Sequence, residues 1–310
     1  MEKLDKRPIF VGGCDRSGTT LLASMIGGHS DVNCLPEAQF ISRYAGAQRD
    51  ISSVAADVLE HRRFGLWQMP VSQEDREDIL ASQDYATLIH KIASLYGRHH
   101  NRPEQRIWLD HAPNCIMSVE ALLRVFPDAK FIHLVRDGRA VAASWLGMDW
   151  GPRHITTVAD TWALRLAAGM AAEAKYPESV IRLKYENVVT APEQEMERLS
   201  DFLGISFEED MLLARGLVLP SRSASTHKLL KENGKTGVST SALDKWKTTL
   251  TQRQIELFEH RTGDLLGLVG YDLLHTEPRA PSKRESVDVL WQEFSGRARN
   301  LLKKKKRQSL

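Results

Sequence analysis

Arg16, Ser17, Gly18, Thr19 and Thr20 bring a guanidinium, hydroxyls and a glycine into one turn, a set of groups suited to holding an anion. Gly13 and Gly18 frame that turn. Ahead of it, Ile9, Phe10 and Val11 form a continuous apolar run between Pro8 and Gly12, which predicts a strand buried on both faces. Behind it, Leu21, Leu22, Met25 and Ile26 recur at helical spacing, and Gly27 with Gly28 predicts the stop. Strand, turn and helix in that order aim the N–H groups around Ser17 to Thr20 outward from a helix N-terminus, where negative charge is favoured. The plainer alternative is a glycine turn leading into a core helix.

Against the phosphate-binding pattern G-x-x-x-x-G-K-[ST], the glycines and the final hydroxyl fit, while Thr19 stands in the lysine position. That lysine reaches the β- and γ-phosphates, so a loop without it, and with Arg16 inside, suits a shorter anion than a nucleoside triphosphate. A kinase or ATPase is thereby disfavoured.

Three other places carry chemistry. Glu37 lies in SDVNCLPEAQF, Ser30 to Phe40, a stretch too rich in turn formers to predict a regular element. Asp110 and His111 open DHAPN, directly after the short strand predicted at Ile107 to Leu109. Arg136 follows the apolar run Phe131 to Val135, and Asp137-Gly138 then turns the chain into a helix carrying Val141, Ser144 and Trp145. An arginine ending a strand and a serine two helical turns later can converge on one phosphate with charge-assisted bonds. A salt bridge from Arg136 to Asp137 or a neighbour is the structural alternative.

The elements that must position these residues alternate strand and helix. A helix is predicted at Ile116 to Phe126, a long one at Ile155 to Tyr176, a strand at Val180 to Leu183, a helix opened by Pro192 and stopped by Gly204, and another near Thr251 to Thr262. Val54 to Arg63 and Tyr85 to Gly97 read as helices in a charged region. This order predicts an α/β fold, a P-loop-like central parallel sheet with helices on both faces. A chain of 310 residues with 42% hydrophobic content can bury one sizeable core, or a core with a small appended lobe. The division expected is a domain over 7–277, then a linker and basic C-terminal helix or tail over 278–310.

Charge and cysteines narrow the class. Forty-two basic and 40 acidic residues leave only +2, so no overall field argues for nucleic acid. Positive charge concentrates in Lys303 to Arg307, behind an intermittent apolar side formed by Leu290, Trp291, Phe294, Leu301 and Leu302. Peripheral contact with an anionic membrane is one expectation for that tail, and a solubilising terminus the other. Cys14, Cys34 and Cys115 lack CxxC spacing, which argues against a disulfide framework or a structural zinc site and fits a reducing compartment. Without an apolar leader or an 18-residue apolar run, a soluble cytoplasmic location is expected.

FVGGCDRSGTTLLASMI and FIHLVRDGRAVAAS together resemble the sulfotransferases that use 3'-phosphoadenosine 5'-phosphosulfate (PAPS), over a span from Ile9 to about Asp272. The resemblance implies that Arg16, Ser17, Gly18, Thr19 and Thr20 hold the 5'-phosphosulfate and that Arg136 and Ser144 hold the 3'-phosphate. KYENV resembles the family's strand-end YE motif and implies Tyr185 near the nucleotide. STHKLLKENGKTGVSTSALDKW resembles the lid over the adenosine and 3'-phosphate, which makes Ser225 and Lys245 candidate ligands. Spacing is nearest to the tyrosylprotein sulfotransferases, whose catalytic glutamate falls on Glu37. That carboxylate would take the proton of an acceptor hydroxyl as it attacks sulfur, with no metal required.

The pattern departs from the family at two positions. The family's catalytic lysine, in a K-x-P context, is replaced by His111, which as an imidazolium would donate to the leaving bridging oxygen. The alternative is a neutral histidine that orders Asp110 and the loop. The peptide-binding arginine beyond the catalytic glutamate is replaced by Gln39, which does not support an acidic peptide and leaves glycan, lipid, small-molecule and tyrosine hydroxyls open. Two other functions stay in view: a nucleotide or small-molecule kinase, marked by magnesium-dependent ATP turnover, and a non-catalytic nucleotide-binding module in which His111 marks lost chemistry.

Overall fold

A computed structural model describes residues 7–100, 107–148, 150–218, 238–287 and 289. Ser225, most of the expected lid and the basic tail lie outside these residues. The chain divides into two compact units: one takes Gly18–Val135, Ala168–Thr240 and the chain up to Gly13, and the other takes Cys14–Ser17, Arg136–Ala167 and the chain from Ser241 onward.

The first unit holds a five-stranded, wholly parallel sheet in the order β2-β3-β1-β4-β5 with helices on both faces. Its strands are β1 (Arg7–Gly13), β2 (Val32–Cys34), β3 (Ile107–Asp110), β4 (Lys130–Val135) and β5 (Val180–Lys184). In β1 every residue after Arg7 is buried, as an apolar central strand between two layers of helices must be. Phe10 stacks on Phe131 at 5.0 Å and meets Trp108 edge-on at 5.5 Å, so aromatic packing joins β1 to both neighbours.

Around the sheet come α1 (Thr19–Ile26), α2 (Gln39–Tyr44), α3 (Ile51–Leu59), α4 (Arg62–Gly65), α5 (Gln73–Leu80), α6 (Tyr85–His99) and α7 (Val119–Val125). Next are α8 (Gly138–Trp145), α9 (Ile155–Lys175), α10 (Tyr185–Thr190), α11 (Pro192–Leu203), α12 (Trp246–Thr249) and α13 (Gln252–Leu268). Local chemistry sets several ends. Pro192 opens α11, and Gly204, at φ 65°, closes it; Thr251 and Gln254 form a reciprocal capping box at α13. Within the first unit, Glu173 of α9 pairs with His133 of β4 and Arg182 of β5, pinning the helix to the sheet.

Two expectations change. Val32–Cys34 is a real strand inside the turn-rich stretch, because pairing with β3 supplies what three residues lack alone. The helix expected from Ile116 starts instead as a 3₁₀ turn over Pro113–Ser118, opened by Pro113, and becomes α-helical only at Val119.

The second unit centres on α8 and α13. Arg139, 3% exposed, forks onto Asp137, bonds Glu259 at 2.6 Å and lies over the Trp246 ring at 4.2 Å. Glu259 also accepts the N–H groups of Leu274 and His275. Every charge in this network has a partner, as burial demands. Among the described residues no helix is long and apolar enough to cross a membrane.

Candidate active site

In the first unit the acid–base candidates sit around one loop. Glu37 Oε1 accepts from Gln39 Nε2 at 2.7 Å and forms an ion pair with Arg63 Nη2 at 3.1 Å, while Oε2 has no hydrogen bond among the described residues. The backbone on either side of Glu37 meets the residues that end β3. Ala38 N–H donates to Asp110 Oδ1 at 2.9 Å, and the buried His111 ring lies near the backbone of Leu35. Asp110 thus holds the loop one residue after Glu37, and the His111 ring lies near it two residues before.

Burial decides their charge. Desolvation pushes Asp110 up to about 7, against backbone hydrogen bonds, with the Glu37 charge adding to the rise. Desolvation pushes His111 down to about 4, and the nearby Arg63 charge pushes the same way. In the ligand-free chain the imidazole is therefore neutral at pH 7. An imidazolium donor was the expectation, drawn from an ordinary histidine starting point, and full burial of the ring moves that starting point the other way.

Gly18, at φ 101°, precedes α1 in this unit, and a Cβ there would stand 2.5 Å from Cδ2 of Tyr185. Tyr185, the first residue of α10, is buried and packs its ring on the glycine. Thr19 and Thr20 form the first turn of α1, which has no acidic residue there, leaving the positive end of the helix uncompensated.

The second unit gathers the cations. Arg16 has a left-handed backbone, φ 69°, and its Nε donates to Ser144 Oγ at 3.1 Å. Arg136, 8% exposed, donates from Nη1 to the carbonyl of Arg16 at 3.0 Å and from Nη2 to that of Ala242 at 3.5 Å. Asp137 is committed to capping α8 and to the Arg139 fork. Burial first, and then the charge of Arg136, hold the Arg16 guanidinium below its usual range. Ser17 Oγ is buried with no hydrogen-bond partner among the described residues. Two guanidiniums at close quarters beside an unsatisfied hydroxyl fit an anionic group, which would relieve the repulsion and satisfy Ser17. Lys245 is exposed just before α12, and its ammonium makes no ion pair or hydrogen bond among the described residues.

Sequence reasoning missed Arg63, which is 26 positions from Glu37 in a charged helix with no motif to mark it. It also gave Asp110 no structural role, although DHAPN had drawn notice.

The sulfotransferase family pattern matches residues 8–209. Protein-tyrosine sulfotransferase 1 of Danio rerio is 27% identical over 281 residues, covering 85% of this chain and 72% of the relative. Protein-tyrosine sulfotransferase 2 of Gallus gallus is 27% identical over 273 residues, covering 85% and 69%. Among solved structures, the sulfotransferase domain of the Synechococcus PCC 7002 olefin synthase aligns with a TM-score of 0.59 at 21% identity, covering 86% of this chain and 96% of that one. The sulfotransferase domain from the curacin biosynthetic pathway aligns at 0.55, also at 21% identity, covering 86% and 99%. These two likenesses bear on the fold. The chain belongs to the sulfotransferase family, and it is an enzyme that moves a sulfuryl group from PAPS to a hydroxyl acceptor.

Proposed function

We propose that Glu37 is the general base of this transfer and that the acceptor hydroxyl belongs to a negatively charged molecule, with a tyrosine flanked by acidic residues as the first candidate. One arrangement carries the reading: the hydrogen bond from Gln39 and the ion pair with Arg63 both engage Oε1 of Glu37 and leave Oε2 to accept a proton. Asp110 and His111 keep that carboxylate in place by holding the backbone around it, and a neutral His111 suits this positioning role. The donor supplies the sulfuryl group and a nucleotide that leaves with the bonding electrons. For the donor we assign Arg16, Ser17, Gly18, Thr19 and Thr20, with Arg136 and Ser144 on the 3'-phosphate and Tyr185 nearby. Ser225 and Lys245 keep the lid role that the resemblance implies.

The acceptor's charge follows from the groups around Glu37. His61 is driven down by burial and then by the charges of Arg43, Arg63 and Arg62, so this face of the first unit is positive. Gln39 replaces one family arginine, yet Arg63 brings a guanidinium onto Glu37 itself. The relatives' name, protein-tyrosine sulfotransferase, agrees with a phenolic hydroxyl.

Transfer of labelled sulfate from PAPS tests the proposal on a panel containing an acidic tyrosine peptide, its neutral counterpart, a glycan, a hydroxylated lipid and a small phenol. Preference for the acidic peptide, abolished by Glu37→Gln, is the expected result. Equal use of the two peptides would reject the charge assignment, and full activity of Glu37→Gln would reject the base.

A further inference from the structure

Glu37 is met by side chains from two elements, Gln39 at the start of α2 and Arg63 in α4, and His61 touches both. Its Nδ1 accepts the backbone N–H of Arg63 at 3.1 Å, which makes it the N-cap of α4. Its ring meets that of Phe40, the neighbour of Gln39, edge-on at 5.6 Å. One imidazole therefore ties the turn that carries Arg63 to the helix that carries Gln39.

Serine, threonine, asparagine and aspartate are the usual caps, and all of them keep their acceptor through neutral pH. An imidazole does not, because Nδ1 accepts only while it is unprotonated. The surroundings favour the accepting form. Burial first, and then the charges of Arg43, Arg63 and Arg62, hold the ring below its usual range. Arg43 comes from α2 and the other two from α4, so both elements packed on the ring face it with cations; Glu60, the residue before it, pairs with Arg76 of α5.

The turn has particular need of its cap. It is four residues long, and Arg62 and Arg63 place two cations at its positive end. Arg63 Nε is buried with no hydrogen-bond partner among the described residues, so the guanidinium takes its place from the backbone of this turn and from Glu37.

We propose that His61 is a positioning residue for the acceptor end of the site: as a neutral imidazole it caps the turn that presents Arg63 to Glu37, and protonation at Nδ1 releases that turn. The proton comes from solvent and occupies the lone pair that the Arg63 N–H had used. The inference rests on the reading of Glu37 as the base and of Arg63 as the neighbour that selects the acceptor.

The full chain tests it as wild type, His61→Ala, His61→Asn, Arg63→Gln and the His61→Ala/Arg63→Gln double variant. With isotope-labelled arginine, the Arg63 amide resonance, identified by its loss in Arg63→Gln, reports the cap without reference to any acceptor. As pH falls from about 8 to about 5, the resonance should move in wild type below pH 6.5 and stay in place in His61→Asn, whose side-chain oxygen caps without titrating. Rates on acidic and neutral tyrosine peptides at neutral pH report the function. His61→Ala should lower the acidic-to-neutral ratio by about three- to tenfold with affinity for 3'-phosphoadenosine 5'-phosphate unchanged, and His61→Asn should keep the wild-type ratio. The double variant should be no worse than Arg63→Gln alone, because both changes act through one guanidinium. An amide resonance that ignores pH in wild type, or losses that add in the double variant, would overturn the inference; the comparison of wild type with His61→Asn decides it if the alanine variant does not fold. A titrating amide together with a ratio that Arg63→Gln leaves unchanged would reject the acceptor reading, and with it the part of His61 in acceptor choice, leaving it the cap of α4 only.

Discussion

Arg136 donates from Nη1 to the carbonyl oxygen of Arg16 at 3.0 Å, so the arginine that follows β4 braces the loop that follows β1. This bond, together with that from Arg16 Nε to Ser144 Oγ, joins two motifs whose arginines are 120 positions apart.

Arg136→Ala should therefore lose more than a phosphate ligand. It removes a guanidinium contributing ~1.5–3 kcal/mol to a charged partner, and it also releases Arg16 from its left-handed backbone. Affinity for 3'-phosphoadenosine 5'-phosphate should fall much further than affinity for adenosine 5'-phosphate. Calorimetry on both ligands measures the difference, and equal losses would reject the assignment of Arg136.

Glu37→Gln should lower kcat by roughly 10²–10⁴-fold while leaving nucleotide affinity nearly unchanged, because it removes the proton acceptor and nothing assigned to the nucleotide. Arg63→Gln should keep part of the activity and lose most of the preference for an acidic over a neutral acceptor. Initial rates at saturating donor separate the two effects. A nucleotide affinity that falls in step with kcat in Glu37→Gln would point to misfolding of the site in place of a lost base.

The pH dependence of stability has a definite sign for each neighbour of the base. Asp110 rises from 3.8 to about 7 on folding, so its contribution is present below pH 3.8 and is lost as pH climbs to about 7. His111 falls from 6.5 to about 4, so its contribution is present above pH 6.5 and is lost as pH drops toward 4. The slopes oppose each other between pH 4 and 6.5, where each amounts to about 1.4 kcal/mol per pH unit at full strength. Asp110→Asn should unmask a stability that rises with pH across that window, and His111→Gln one that falls. Urea unfolding at half-unit pH steps reads both, and identical profiles in all three proteins would contradict the burial argument.

A neutral His111 also predicts that replacing it leaves the alkaline limb of the kcat profile where it was. His111→Gln should reduce kcat through misplacement of the loop. If His111→Lys moves that limb upward, the imidazole is protonated in the working complex after all.

Gly18→Ala should destabilise the first unit by about 1–3 kcal/mol, since it places a Cβ against the Tyr185 ring and asks alanine to adopt φ 101°. Tyr185→Ala added to it should recover only part of the loss, because the backbone strain remains. Thermal unfolding of both variants shows whether the ring or the torsion dominates. An unchanged melting temperature for Gly18→Ala alone would refute the prediction.

Features carried by adjacent residues were legible from the chain. The apolar runs of β1 and β4, the helix after Gly18 and the spacing of Arg136 and Ser144 depend on neighbours in sequence, and periodicity reports those directly. What escaped depends on distant partners. Val32–Cys34 is too short to show alternation and is a strand only because β3 lies beside it. The ion pair of Arg63 with Glu37 is made by the fold, as are the hold of Asp110 on the loop and the place of the His111 ring beside it. The lowered pKa of His111 in the ligand-free chain was not legible either, because no pattern in DHAPN reports how completely a side chain leaves water.

The position of β1 has a consequence for how the protein is made. Arg7 pairs with Ile107 and Ile9 with Lys130, so β1, once synthesised, waits about a hundred residues for either neighbour. At ribosomal rates of ~5–20 residues per second, that is an interval of roughly 5–20 s in which an apolar segment has left the ribosome with its backbone donors and acceptors unmatched. Sheets assembled from such remote pairings also close slowly on refolding from denaturant. Biogenesis of this enzyme should therefore depend on holding chaperones during that interval more strongly than its size alone would require.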